Sequence, residues 1–364
     1  MRKVLGTKLA LAGAVGLVAA LAAGSAAAAP CSACHTMHNS QDGAPMRGAG
    51  LTEPLPKLLL NDCIGCHTGV NTATSLTTAQ PEVYSTGAPT YGTNTLAGGN
   101  FYWSTQAGTE NTGHNVAELG VADPDLGNTP PGGTALTQQL TCAGVYGCHG
   151  ERTAGNEVPL ESLHGSHHYP HNTTADALAH TTVGNSFRYL FGVDGREDTT
   201  WEFTNADDNA THNIYKGVDR TGSLETVAAD ATSINALCGQ CHGAFHRQGN
   251  DTWGIVENGA DAGTIGVGQW IRHPTDYDMP NAGEYAGYAT YRVETPVGTS
   301  TMAATIDVSG ATADSRIVLC VSCHRAHGSP YADILRWDYA NMETGNAPAG
   351  FEGTGCFACH TLKD

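Results

Sequence analysis

The stretch CSACHTMHNS (31–40) decides how the rest of the chain is read. Cys31 and Cys34 are separated by two residues and followed at once by His35. By this spacing two thiols add to the vinyl groups of one porphyrin while the next residue meets its iron. Histidine suits that place because imidazole is a nitrogen ligand that both iron oxidation states accept. His38 is then left over, and at most about 10 Å of chain separates it from His35. It cannot pass round the porphyrin to the opposite face. If His38 binds an iron, that iron belongs either to the second site of the same chain or to another molecule.

The same pattern accounts for every cysteine. The twelve cysteines form six pairs: Cys31/Cys34, Cys63/Cys66, Cys142/Cys148, Cys238/Cys241, Cys320/Cys323 and Cys356/Cys359. The second member of each pair is followed by a histidine, namely His35, His67, His149, His242, His324 and His360. Structural disulfides or half zinc sites would not require that histidine. Six covalently attached haems c are expected, with these histidines as proximal ligands. The third pair departs from the rule, with five residues between its cysteines. Haem is expected there too, the longer loop bulging away from the ring; a Cys142–Cys148 disulfide is the alternative.

Of the 17 histidines, eleven remain as possible second ligands: His38, His114, His164, His167, His168, His171, His180, His212, His246, His273 and His327. Methionine ligation by Met37, Met46, Met279, Met302 or Met342 is unnecessary given that surplus. Imidazole on both faces closes the iron to substrate, so the haems pass electrons. The chain therefore reads as an electron-transfer protein and not an enzyme, with no catalytic residues. A multihaem nitrite or hydroxylamine oxidoreductase, which needs one open iron face, is the less favoured alternative.

Composition sets the surroundings of these sites. Arg2, Lys3 and Lys8 precede an apolar run and an alanine tract, so residues 1–29 are expected to be a secretory signal, leaving 30–364 as a single hexahaem domain. A net charge of −18 argues against nucleic acid as a partner. With 46 glycines, 16 prolines and only 14% charged residues, segments such as 68–100 show no apolar period and read as loop. The expected fold is mostly irregular, with few short helices and a possible β-hairpin, wrapped around a continuous haem chain that serves as core. Helices are expected over about 231–246 and over 331–342, and a hairpin over 283–309.

In combination, CSACHTMHNS, NTGHNV (111–116), GSHHYPHN (165–172), SFRYLFGVDGREDTTWE, HNIYKG, CGQCHGAFH, RHPTDYDMP, CVSCHRAHGSPYADILRWDY and GTGCFACHTLKD resemble the extracellular filament-forming multihaem cytochromes of metal-reducing bacteria, the OmcS and OmcE type. The resemblance implies a secreted, extracellular or cell-surface chain that polymerises head to tail and conducts electrons along stacked bis-histidine haems. It further implies that His38 binds a haem of the adjacent subunit. Other redox cytochromes or an outer-membrane conduit would deliver electrons, and external acceptors such as metal oxides would take them. A monomeric periplasmic or surface carrier is the alternative. With the resemblance in view, the favoured distal ligands are His38, His114, His168, His212, His273 and His327, with His167 and His246 in reserve. His164, His171 and His180 read as hydrogen-bonding or surface residues.

Overall fold

A computed structural model of the chain describes residues 31–41, 44–45, 54–69, 71, 80–90, 96–120, 122–169, 177–198, 202, 212–219, 231–243, 273, 275–303, 305–345 and 353–363. The expected signal over 1–29, His171 and His246 lie outside them. Most of the described backbone is irregular. Its α-helices are one to two turns long: α1 (Cys63–Cys66), α2 (Pro159–Ser162), α3 (Ile234–Gly239), α4 (Cys320–Cys323) and α5 (Cys356–Cys359). Among the described residues no helix is long and apolar enough to cross a membrane.

Three of these helices coincide with cysteine motifs and α3 runs into a fourth at Cys238, and side-chain caps start two of the four. Asp62 accepts from Gly65 N–H at 2.8 Å ahead of α1, and Ser233 accepts from Ala236 N–H at 3.1 Å ahead of α3. One helical turn brings residues i and i+3 to the same side. It therefore presents both thiols of a pair to one ring edge.

The strands are two or three residues long. β1 (Ser40–Gln41) and β2 (Ala44–Pro45) pair antiparallel just beyond the first motif. β3 (Thr141–Ala143) and β4 (Gly147–His149) pair in parallel. A six-stranded sheet gathers β5 (Ala177–Leu178), β6 (Gly195–Arg196), β7 (Ile214–Lys216), β8 (Tyr277–Asp278), β9 (Gly298–Thr299) and β10 (Ile317–Val318), in the order β5-β6-β7-β9-β10-β8. Only β7 and β9 run parallel within it.

Apolar side chains pack in two main clusters near this sheet. Met279, Tyr288, Tyr291, Val293, Val297, Ile306, Val308 and Val318 form one; Phe187, Leu190, Val193, Tyr215, Ile234, Ile317 and Leu319 form the other. Each large side chain buried in this way contributes roughly 1.5–3 kcal/mol. The chain thus has a conventional core in addition to any porphyrin, which amends the expectation that haems alone would supply it.

Two sequence expectations fail here. Residues 331–342 form no continuous helix. They make two tight turns, Ala332–Ile334 and Tyr339–Asn341, with Leu335 extended between them. Asp333 and Ile334 take positive φ, which a right-handed helix cannot accommodate. Nor do 283–309 form a hairpin. Gly298–Thr299 pairs with β7 and β10, while Tyr288, Tyr291, Val293, Ile306 and Val308 are drawn into the core cluster. Of the helix expected over 231–246, α3 is present among the described residues, and 244–246 lie outside them.

With little regular structure, buried arginines satisfy many loop carbonyls. Arg336 is 5% exposed and donates from Nε to Val321 O (2.6 Å), from Nη1 to Val293 O (3.2 Å) and from Nη2 to Ala97 O (3.4 Å). Three segments distant in sequence are tied by one side chain.

Candidate haem sites

Five of the six motifs place the histidine in the same way. The backbone N–H of His35, His67, His242, His324 and His360 donates to the carbonyl of the first cysteine of its motif, at 2.8–3.0 Å. The third motif reaches a similar result through strands. The register of β3 on β4 pairs Thr141 with Gly147 and Ala143 with His149, which sets Cys142 opposite Cys148. The three residues Gly144–Tyr146 bulge out between them, closed by Gly147 N–H donating to Gly144 O at 2.9 Å. None of the twelve cysteines forms a disulfide.

The proximal rings are oriented by their Nδ1 atoms. Nδ1–H donates to Lys57 O from His35 (2.9 Å), to Pro81 O from His67 (2.8 Å), to Arg188 O from His149 (2.9 Å), to Pro131 O from His242 (2.8 Å) and to Asp333 O from His324 (2.8 Å). A carbonyl can only accept, so the proton sits on Nδ1 and Nε2 presents its lone pair, as metal-bound histidines require. At the sixth motif Nδ1 of His360 lies 3.3 Å from Glu284 Oε2, a carboxylate oxygen that also pairs with Lys363 at 3.1 Å. Burial keeps His67, His114, His149 and His324 below the ordinary imidazole pKa, and pushes His327 down to about 3. Neutral imidazole is the ligating form.

Opposite these rings stand second imidazoles. Ring centroids are 5.9 Å apart for His35 and His168, 6.3 Å for His67 and His167, 6.3 Å for His149 and His327, 6.1 Å for His242 and His114, and 6.1 Å for His360 and His273. An iron with imidazole on both faces holds the centroids about 6 Å apart, since each metal–nitrogen bond spans about 2 Å and the ring adds about 1 Å more. The described residues therefore fit haem iron at five sites. Among the described residues His324 faces no second imidazole. His38 is exposed, beside Met37, which is 81% exposed.

The structure brings together His114, His168, His273 and His327 with proximal histidines, and it brings the reserve residue His167 to His67. His212 goes elsewhere. It is 4% exposed and lies flat on Tyr291, with centroids 3.5 Å apart and 8° between planes, and its Nδ1–H donates to Asn213 O at 2.7 Å. The adjacent Asn213 donates its backbone N–H to Glu202 Oε1 at 2.7 Å and its side-chain amide to the Tyr215 hydroxyl at 3.5 Å. His164 is held by Glu151 and His180 by Asp194, each at 2.7 Å, in keeping with surface hydrogen-bonding roles.

The segment 324–327 touches three sites. His324 belongs to the fifth; Ala326 O accepts from Nδ1–H of His114, at the fourth, at 2.7 Å; His327 faces the third. Glycines permit this crowding. A Cβ on Gly99, whose φ is +82°, would lie 2.1 Å from Gly328 O.

The thiols link one site to the next in sequence order. Cys66 lies near Cys34, Cys63 beside Cys142, Cys148 near Cys241, Cys238 beside Cys320, and Cys323 near Cys359. Vinyl edges attached at these pairs would be neighbours along one line from the first site to the sixth. The backbone carbonyls that hold the proximal rings were invisible to sequence reasoning, because any residue type can supply a carbonyl.

No known family profile matches the chain. It is 28% identical over 343 residues, 84% of its own length and 77% of the relative's, to the C-type cytochrome OmcS of Geobacter sulfurreducens. Two solved structures are similar at low scores. The Outer Membrane Cytochrome S Filament from that organism has a TM-score of 0.46 at 18% identity, covering 88% of this chain and 86% of that one. The cryo-EM structure of the OmcS nanowires has a TM-score of 0.47 at 21% identity, covering 87% and 85%. Superpositions of this quality leave the sites to be read from the chain's own geometry.

Proposed function

We propose that this chain is an exported c-type cytochrome that binds six haems c, joins copies of itself end to end and conducts electrons along the resulting filament to external acceptors such as metal oxides. Residues 1–29 are the signal and 30–364 one haem-binding domain. When bound, each haem supplies a reversible one-electron iron couple. The chain tethers the rings through its cysteine pairs, orients both imidazoles, and closes every axial position to exogenous ligands. The distal ligands, from the first site to the sixth, are His168, His167, His327, His114, His38 of an adjoining copy, and His273. His212 leaves the ligand set.

One observation carries this reading: five proximal histidines each face a second imidazole at bis-histidine spacing, while among the described residues His324 faces none and His38 stands exposed with none. Coordination of the fifth iron by His38 of the next copy satisfies both ends. An interface that joins different patches without closing builds an open filament. The charge of −18, made more negative by haem propionates, disfavours indiscriminate association. An iron–histidine bond supplies the specific contact.

Mass spectrometry of the exported protein is expected to show the cleaved chain plus six haems. His38→Ala is expected to keep all six, to lose filaments in electron micrographs and to expose one iron to carbon monoxide after reduction. Filaments of normal length from His38→Ala would remove the polymer from the proposal. A wild-type protein that stays monomeric in gel filtration at high concentration would favour the single-molecule carrier.

A further inference from the structure

Three proximal imidazoles are gripped by one recurring backbone arrangement. At the first site Lys57 and Leu58 have φ of 58° and 55°; at the third Arg188 and Tyr189 have 50° and 58°; at the fifth Asp333 and Ile334 have 58° and 52°. Residues bearing a Cβ seldom enter this left-handed region, and two in succession is rarer still. In each case the first residue's carbonyl accepts the proximal Nδ1–H, at 2.9, 2.9 and 2.8 Å. The second residue's carbonyl accepts the backbone N–H of the residue after that histidine: Thr36 (2.8 Å), Gly150 (2.8 Å) and Arg325 (2.9 Å).

The similarity extends one step further. A leucine closes every turn, with Leu59, Leu190 and Leu335 donating back to Pro56 O, Phe187 O and Ala332 O at 3.4, 2.9 and 3.3 Å. At the first and fifth sites the next residue ties the turn to the second cysteine, Leu60 N–H donating to Cys34 O at 2.8 Å and Arg336 N–H to Cys323 O at 2.9 Å. The third site has the wide cysteine spacing, and there Arg152 makes the tie instead. Its guanidinium donates to Cys148 O at 3.0 Å and to Phe191 O at 2.8 Å, Phe191 being the residue after the leucine. The connection is kept although the motif around it has changed.

Residues in one helical basin aim successive carbonyls in a common direction. A two-residue left-handed turn therefore offers two acceptors side by side, one for the ring and one for the backbone beside it. The other sites are held differently, by the carbonyls of Pro81 and Pro131 at the second and fourth and by the Glu284 carboxylate at the sixth.

We infer that the turns at Lys57–Leu58, Arg188–Tyr189 and Asp333–Ile334 are positioning devices that fix the rotation and Nδ1–H bond of alternate proximal imidazoles, and so set the potentials of sites one, three and five apart from the rest. The inference rests on the haem reading given above. Hydrogen bonding at the far nitrogen of a ligating imidazole governs its basicity and orientation, and through them the iron couple.

Lys57 is exposed, so its replacement alters backbone preference and buries nothing. Lys57→Gly tolerates positive φ, whereas Lys57→Val resists it. Both holoproteins, made as the full chain, are compared with wild type by haem mass, potentiometric titration and the ferric low-spin electron paramagnetic resonance spectrum. Lys57→Gly is expected to reproduce the wild-type titration. Lys57→Val is expected to displace one electron's share of it and the low-spin signal of one site, or to lose that one haem. Wild-type behaviour in both variants, or equal damage in both, overturns the inference. Asp333→Gly and Asp333→Val repeat the comparison at the fifth site, where Asp333 is also exposed, and decide the matter if Lys57→Val does not mature. A wild-type haem count other than six would strike the proposed function and not these turns.

Discussion

Replacing His167 and replacing His212 are expected to have opposite consequences, and the contrast tests the ligand assignment. His167 stands across from His67 at a centroid distance of 6.3 Å, whereas His212 lies 3.5 Å from Tyr291 and is 4% exposed. His167→Ala removes one axial imidazole and little packing, so the fold persists and one iron becomes five-coordinate. Carbon monoxide added to the reduced protein then binds at about one equivalent per chain, against none for a fully bis-histidine wild type whose fifth site is filled within the filament. His212→Ala leaves coordination alone but opens a cavity beside Tyr291 and deletes the bond to Asn213 O. Truncating a buried ring costs about 2–3 kcal/mol and the lost hydrogen bond about 1 kcal/mol, so a destabilisation of about 3–4 kcal/mol is expected. Denaturant titration of the holoprotein, followed by tyrosine and tryptophan fluorescence beside the carbon monoxide difference spectrum, reads both quantities. Carbon monoxide binding by His212→Ala with none by His167→Ala would refute the assignment.

Three other perturbations have defined outcomes. Burial raises the Glu202 carboxyl to about 7, with Arg336 opposing the shift. A folded-state pKa above the unfolded one means that the folded form binds more protons, so stability falls as pH rises from the unfolded value toward 7 and is level beyond it. Across that window the loss is roughly 3 kcal/mol, and Glu202→Gln is expected to flatten the curve of denaturation midpoint against pH. Arg336→Met strips donors from one buried and two part-buried carbonyls and is expected to cost about 3–5 kcal/mol in the same assay. Arg152→Ala is expected to reduce haem retention at the third site alone, read as a five-haem species in the mass spectrum.

The haem sites were legible because thioether attachment writes its requirement into five consecutive positions, or eight at the third motif. Distal ligands come from any distance along the chain, and only fragments of that pairing could be read. His167 and His168 are adjacent and chemically identical, so nothing local could tell which faces which ring, and the structure brings both to proximal histidines. His212 sits in an apolar and aromatic setting that suits a ligand and a core histidine equally. The helix expected over 331–342 had the right apolar spacing, but the carbonyl of Asp333 turns toward His324 and needs a left-handed turn there. The six-stranded sheet escaped notice because strands of two or three residues are too short to show alternation, and β7 pairs with β9 from more than eighty positions away.

His167 and His168, described above as facing the second and first proximal rings, have a mechanical consequence. Their Cα atoms are joined by a single peptide unit of about 3.8 Å, which has no slack to give. On the ligand set and polymer proposed above, two irons anchored to consecutive residues would behave as one rigid link when the filament is bent or pulled. Strain would be taken up in loops elsewhere, and the first tunnelling gap in every subunit would keep its width while the filament flexes.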